Sequence, residues 1–238
     1  LFLYYYCFLK IISIQIHYHN YNYLKNIIII NVMPILVIDG NIGSGKSTII
    51  DKLKKDNFSF VIDTKSEKID NFDPWLKLYY KNMDKYALGF QMEVLMSHMK
   101  NKYLIDKKTL TITERSPLSC LHIFGKHLVD NNILSKIEQN LCLKINNEYG
   151  WIPKNIIYLK TDTDTAYSRV VKRDRKGENN ISKQYLDSLN NNYNKLSNRS
   201  IEFNVHIIDA NRNLELVYKD VKKIIIDYQN IIQQLYHL

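Results

Sequence analysis

Short apolar runs with polar flanks punctuate the chain from Pro34 onward. They are Ile35–Ile38, Phe58–Ile62, Thr109–Thr113, Ile156–Leu159 and Val205–Ile208. Each is β-branched and too short for a buried helix, so each reads as a strand. The segments between them carry apolar positions at helical spacing. Tyr86–Leu104, for example, places Leu88, Met92, Leu95, Met96 and Met99 along one long helix, with Gln91 and His98 near a common stripe. Strands that alternate with helices predict an α/β fold of three layers, a five-stranded parallel sheet with helices on both faces. No internal repeat and no Pro/Gly linker interrupts the pattern, so one domain is expected.

Residues 1–32 stand apart from this alternation. Leu1–Ile16 is apolar and aromatic with Lys10 as its single charge, His17–Asn22 is polar, and Ile27–Ile30 is apolar again. A membrane-spanning helix needs about 20 apolar residues, and the first run falls short. No small-residue cleavage site follows it. The working domain is therefore expected to run from Met33 to residue 238, with residues 1–32 a dispensable extension. The expected setting is cytoplasmic and without a membrane partner. Organelle targeting or membrane association through residues 1–32 is the alternative.

The first strand feeds Gly40-Asn41-Ile42-Gly43-Ser44-Gly45-Lys46-Ser47-Thr48, and a helix-like segment, Ile49–Lys55, follows. Gly40 to Ser47 fits the eight-residue phosphate-loop pattern, in the strand–turn–helix setting it requires. Glycines let backbone N–H groups converge on phosphate oxygens, and the helix start adds partial positive charge. Lys46 then supplies an ammonium for the terminal phosphates, and the Ser47 hydroxyl a ligand for Mg²⁺. The nucleotide and its metal are thus expected at this loop.

Bulk properties change the picture little. With 45% hydrophobic residues among 238, the chain can bury one substantial core. The formal charge of +9 suits a protein that handles polyanions, whether small molecules or nucleic acid. Cys7, Cys120 and Cys142 show no paired spacing, which points to a reducing compartment and away from zinc.

Ligands of parallel sheets sit beyond the carboxyl ends of the strands. There the chain places Asp63–Glu67, Glu114-Arg115-Ser116, Thr161–Asp164 and Asp209-Ala210-Asn211. Phosphoryl transfer needs a base, a held metal and cationic cover for the transferring oxygens. Glu67 is a candidate base, with Asp63 its rival. Glu114 can hold Mg²⁺ together with Ser47, and Arg115 can bridge acceptor and donor phosphates. Arg169 and Arg173 share a helix face, and Arg173–Asn180 leaves that helix as a polar loop that also contains Arg175. Several arginines on a loop able to close over a polyphosphate describe a lid. Gln91 offers a donor edge and an acceptor edge, which match a nucleobase. A lone helix Gln is more often a satisfied polar group. Phe124, four residues after Cys120, gives one aromatic face that is equally at home in a core.

In combination these positions resemble the deoxynucleoside kinase family, from Pro34 to the C-terminal helix. The ordered set carries the resemblance: the phosphate loop, Tyr80 before Phe90-Gln91, Glu114-Arg115-Ser116, Phe124, the arginines 169, 173 and 175 with Glu178, and then Tyr185-Leu186. The resemblance implies a P-loop NTPase-type fold with an arginine-rich lid, an ATP donor with Mg²⁺, and a homodimer. It implies that Glu67 takes the 5′-hydroxyl proton and that Tyr80 and Glu178 bind the deoxyribose 3′-hydroxyl. Gln91 would bind the base edge and Phe124 stack on the base. Lys46, Arg173 and Arg175 would clamp the donor phosphates, with Arg115 holding the 5′-oxygen and Glu67. The family usually follows its base with Pro-Val, where this chain has Lys68-Ile69. The Arg and Asp deep in the base pocket of deoxycytidine kinase correspond to His98 and Cys120. A smaller, more apolar pocket, to which Cys120 contributes, suits a pyrimidine.

The expected partners are therefore a deoxynucleoside and a nucleoside triphosphate, with no stable nucleic-acid binding. Two alternatives stay open. A nucleoside monophosphate kinase of thymidylate kinase type shares loop and lid but needs no carboxylate base. A nucleotide-binding protein without turnover would account for the basic charge.

Overall fold

The computed structural model describes residues 34–56, 61–63, 73–104, 109–175, 178, 181–198 and 203–236. The extension, the first part of the second expected strand, Glu67, and the loop residues 176, 177, 179 and 180 lie outside them.

Strand β1 (Ile35–Gly40) leads into helix α1 (Lys46–Lys55), and β2 (Val61–Asp63) precedes α2 (Asp73–Lys81) and α3 (Met83–Lys100). After β3 (Thr111–Glu114) comes a helix in three continuous parts, Pro117–Ser119, Cys120–Gly125 and Lys126–Asp130, together α4. Then follow α5 (Lys136–Tyr149), β4 (Asn155–Lys160), α6 (Thr163–Arg173), α7 (Lys183–Ser197), β5 (Asn204–Asp209) and α8 (Leu214–Tyr236). The strands lie in the order β2-β3-β1-β4-β5, all parallel where paired. β1, β3, β4 and β5 form the body of the sheet, and the three-residue β2 pairs with β3 at its edge.

β1 is wholly buried, as expected of a central strand covered on both faces. Its side chains alternate between two cores. Leu36 and Ile38 pack with Ile49 and Leu53 of α1 and with Val217, Val221 and Ile225 of α8. Ile35 and Val37 face the other way, toward Ile123 of α4, Tyr158 of β4 and Leu189 and Tyr193 of α7. β1 therefore divides two helical layers and ends between β3 and β4, where the order of strands reverses. That reversal opens a crevice at the carboxyl ends of the strands.

The long helix expected over Tyr86–Leu104 begins earlier and ends earlier. Asn82 accepts the Lys85 N–H on its side-chain oxygen at 3.0 Å, so Asn82 acts as the cap from which α3 starts. Past Lys100 the chain tightens into a 3₁₀ turn, Asn101–Leu104. No described helix is long and apolar enough to cross a membrane.

Candidate active site

The turn after β1 has the conformation that its glycines predict. Gly43 sits at φ +80°, and a Cβ there would lie 2.4 Å from the Ala166 carbonyl oxygen. A Cβ on Gly40 would come within 2.7 Å of both the Leu159 carbonyl oxygen and Ser44 Oγ. Gly45, at φ +94°, begins α1 without a side-chain cap. The first N–H groups of α1 are thus left for a ligand, the arrangement that binds phosphate. Lys46 is buried. Its Nζ donates to the carbonyl oxygens of Gly40 (3.0 Å) and Asn41 (2.8 Å), and Ser44 Oγ lies 3.4 Å away. Asn41 ties the loop to α7, because its Nδ2 donates to the Leu186 carbonyl oxygen (2.8 Å) and Asn190 Oδ1 (2.7 Å).

At the end of β3, Ser47 Oγ stands 3.2 and 3.3 Å from the two carboxylate oxygens of Glu114. Two hard oxygens beside a phosphate loop fit Mg²⁺, which keeps several waters and takes its other ligands from the nucleotide. Among the described residues no group of three or more His, Cys, Asp or Glu could hold a metal. Arg115 turns the chain at φ +59°, a conformation uncommon outside glycine. Its guanidinium carbon lies 4.8 Å from the centre of the Phe124 ring, a cation–π contact. Its Nη2 lies 3.5 Å from the Gly40 carbonyl oxygen, so Arg115 reaches from β3 to the base of the phosphate loop.

α6 ends at Asp174, in a left-handed conformation. Beyond it Glu178 is buried and takes both nearby arginines. Arg173 Nε donates to it at 3.1 Å with Nη2 in a second bond, and Arg175 Nη1 lies 3.7 Å from its other oxygen. Tyr80 faces this carboxylate. Burial, and then the charge of Glu178, raise the Tyr80 phenol above its ordinary value, so it keeps its proton and can donate. Arg169 does not join the other two arginines. Its guanidinium donates to the carbonyl oxygen of Ala210 (2.9 Å) and reaches that of Gly43 (3.5 Å). Its planar fork thus rests on two backbone carbonyls, one of them in the phosphate loop, rather than on Glu178.

The opposite wall comes from α3 and α4. Gln91 is buried, and the Cys120 thiol lies 3.1 Å from its Oε1. Cys120 and Phe124 lie on the π-helical turn Cys120–Gly125, a local widening often found at functional sites. His98 is buried farther along α3, one helical stripe from Gln91, and its carbonyl oxygen accepts the Trp151 indole N–H at 2.9 Å.

One cleft unites these walls. Lys46, Ser47, Glu114, Arg115, Arg173 and Arg175 line one part of it. Tyr80, Gln91, Phe124 and Glu178 line another, with Val94, His98 and Cys120 beside Gln91. The cleft also takes in Tyr79, which motif reasoning left out, and Tyr185, which it placed only in the helix after the arginines. Burial raises the Tyr79 phenol to about 12, and its ring stacks on Phe90 at 5.0 Å. A Tyr79-Tyr80 pair flanking a polar helix start was the available signal for Tyr79. Asp39 was missed as well. It is buried directly before Gly40, where a carboxylate at a strand end next to the loop could have been noticed.

The family model for deoxynucleoside kinase matches residues 36–233, most of the chain. The chain belongs to the deoxynucleoside kinase family. It is 35% identical over 192 residues to a putative kinase protein, 143R, of Invertebrate iridescent virus 6, covering 80% of this chain and 95% of that protein. It is 31% identical over 186 residues to a probable deoxycytidine kinase of Fowlpox virus, covering 73% of this chain and 77% of that one. Among solved structures, deoxyadenosine kinase from M. mycoides with its products dCMP and a flexible dCDP bound superposes with a TM-score of 0.71. That match has 26% identity and covers 81% of this chain and 99% of the other. This deoxynucleoside kinase family member is thus a phosphotransferase.

Proposed function

We propose that this kinase transfers the γ-phosphoryl group of ATP to the 5′-hydroxyl of a deoxynucleoside, giving the 5′-monophosphate in nucleotide salvage. One observation carries the reading: Tyr80, Gln91, Phe124 and Glu178 line the same cleft as Lys46, Ser47 and Arg115. A hydroxyl donor, a carboxylate, an amide edge and an aromatic face suit an uncharged sugar and base. The lysine, helix start and arginines suit a polyphosphate.

In the proposed reaction the 5′-oxygen attacks the γ-phosphorus, the bond to the β-phosphate oxygen breaks, and ADP leaves. The proton of the 5′-hydroxyl goes to Glu67. Lys46, Arg173 and Arg175 hold the donor phosphates, and Arg115 covers the transferring group. Ser47 and Glu114 would hold Mg²⁺, which supplies charge neutralisation when bound. The loop from Arg173 to Asn180 would serve as the lid. Tyr80 donates to the 3′-hydroxyl and Glu178 accepts from it.

A preference for pyrimidines rests on the base end of the cleft. Val94, Cys120 and Phe124 make that end compact and largely apolar around Gln91. The Cys120 thiol occupies one lone pair of Gln91 Oε1 and leaves the amide both donor and acceptor capacity. A panel of the four deoxynucleosides with ATP tests the proposal. Thymidine and deoxycytidine should show kcat/KM values at least about tenfold above the purines, the scale on which a misfitted pocket discriminates. Turnover of purines alone would contradict the preference, and turnover of none would contradict the function.

A homodimer is supported by the outer faces of α3 and α5. Leu95 and Cys142 join these helices in one core cluster. Their outer faces expose Met96, Ile137, Leu141 and Tyr149. Apolar side chains concentrated on two packed helices suit a self-complementary contact. Sedimentation equilibrium should give twice the chain mass, and a mass of one chain at micromolar concentration would rule the dimer out.

A further inference from the structure

Asp39 is a buried carboxylate to which the proposed reaction assigns no role. It closes β1, and its relative exposure is 2%. A buried carboxylate is costly unless donors and a cation surround it. The protein gives Asp39 such a setting from four separate parts of the chain. Oδ1 accepts the Gly40 N–H at 2.7 Å and the Tyr193 hydroxyl at 2.8 Å. Oδ2 accepts the Ser119 hydroxyl at 2.6 Å. Arg115 Nε lies 3.9 Å from Oδ1.

The same groups converge on the first residue of the phosphate loop. The Gly40 carbonyl oxygen receives Lys46 Nζ at 3.0 Å, with Arg115 Nη2 at 3.5 Å, and it lies 2.9 Å from the Tyr193 oxygen, whose single proton Asp39 and Gly40 share. Tyr193 is fully enclosed. Burial first, and then the negative charge of Asp39, hold its phenol well above the ordinary value. It therefore keeps its proton and donates across the neutral range. Asp39 thus touches the loop backbone, the helix after the lid segment, α4, and the guanidinium of Arg115. Arg115 itself has the uncommon φ of +59° and rests on the Phe124 ring. At 3.9 Å the Asp39 carboxylate acts on the Nε edge of Arg115 as an ion pair rather than through a hydrogen bond.

We propose that Asp39 is a positioning residue, which fixes Arg115 and the Gly40 peptide relative to each other so that the guanidinium meets the transferring phosphoryl group. The proposal rests on the phosphotransfer reading above, in which Arg115 covers that group. Asp39 itself touches neither substrate. Its contribution is alignment, which an enzyme feels in kcat more than in ground-state binding.

The experiment compares the parent enzyme, Asp39→Asn and Asp39→Glu, each also in an Arg115→Lys background, at saturating ATP and deoxynucleoside. Asp39→Asn keeps acceptor oxygen capacity but loses the charge, and should lower kcat by about 10²-fold, the scale of a misplacement near 1 Å. KM for both substrates should stay within about threefold, as expected for an interaction made in the transition state. Asp39→Glu should recover most of the loss. In the Arg115→Lys background the Asp39→Asn loss should shrink, since coupled residues are not additive.

Ser119→Ala guards against a misfolded variant. Ser119 holds Asp39 through Oδ2 and is not within the cleft, so this substitution should lower kcat several-fold with KM unchanged. An activity-independent readout separates this proposal from the reading beneath it. In ¹⁵N–¹H spectra the Arg115 Nε–H resonance should shift in Asp39→Asn, because the carboxylate charge 3.9 Å from it is lost. An unshifted resonance, a kcat within about twofold of the parent, or equal loss in the Asn and Glu variants would overturn the role of Asp39. A parent that shows no turnover, yet keeps the Nε–H signature, would instead overturn the phosphotransfer reading.

Discussion

Replacing Lys46 by alanine should lower turnover by about 10³-fold or more, the largest loss expected of any single change in this kinase. The scale is that of removing a preorganised charge from a transition state in a site that excludes water. Two features of the site support it. Lys46 is buried, and its ammonium lies against the Gly40 and Asn41 carbonyl oxygens, over the loop that would receive the phosphates. No other lysine lines the cleft among the described residues. The arginines there arrive from different elements and reach other parts of the site. The substitution also withdraws three donors from the loop, so the folded fraction must be measured beside kcat. Deoxynucleoside affinity, measured by calorimetry without ATP, should change little, because Tyr80, Gln91 and Glu178 stay in place. A Lys46→Ala enzyme that folds and keeps most of its kcat would remove Lys46 from the donor site.

Replacing Glu67 by glutamine should lower kcat by about 10²-fold or more with a modest change in KM, as expected when a positioned base loses its ability to accept a proton. Glutamine preserves shape and hydrogen-bonding reach, so the change isolates the proton. Glu67 lies outside the described residues, and its assignment rests on its place after β2 and on the family resemblance. β2 pairs in parallel with β3, so Asp63 ends its strand on the same side of the sheet as the Glu114-Arg115 corner. Asp63 is the comparison. If Asp63→Asn shows the large kcat effect and Glu67→Gln does not, the base is Asp63. A pH profile adds a second readout. The parent should lose kcat as the base protonates at acid pH, and the Gln variant should lose that limb.

Much of this was legible in sequence, for identifiable reasons. The phosphate loop has fixed spacing within one stretch of chain, so Gly40 to Ser47 could be read without knowing any contact. The strand cores were legible because their β-branched runs are short and separated by helical patterns. Boundaries were less so. The start of α3 depends on the Asn82 side chain capping Lys85, a local device hidden among other polar residues. Long-range side-chain contacts were the hardest part. Asp39 meets Ser119 across 80 positions and Tyr193 across 154. No periodicity links such residues. Arg169 shows how far spacing alone reaches. Its spacing from Arg173 put both on one helix face, but backbone carbonyls of Gly43 and Ala210 lie beside one and the carboxylate of Glu178 beside the other. A shared face does not decide what each long side chain finds at its tip.

The cleft also explains why the phosphate loop alone could not name an acceptor. The loop is common to kinases, switches and motors, and it speaks only for the donor. The acceptor is described by the polar groups opposite it. Gln91 meets the Cys120 thiol rather than a charged partner, and Glu178 is buried beside the Tyr80 phenol.

The most direct test is therefore a choice of acceptor. With ATP and Mg²⁺ supplied, the enzyme is given thymidine in one reaction and dTMP in another, and the products are resolved by anion-exchange chromatography. Thymidine should be converted to dTMP with ADP formed in equal amount, and dTMP should not be carried on to dTDP at a comparable rate. Conversion of dTMP to dTDP with thymidine left untouched would contradict the account and identify a nucleoside monophosphate kinase instead.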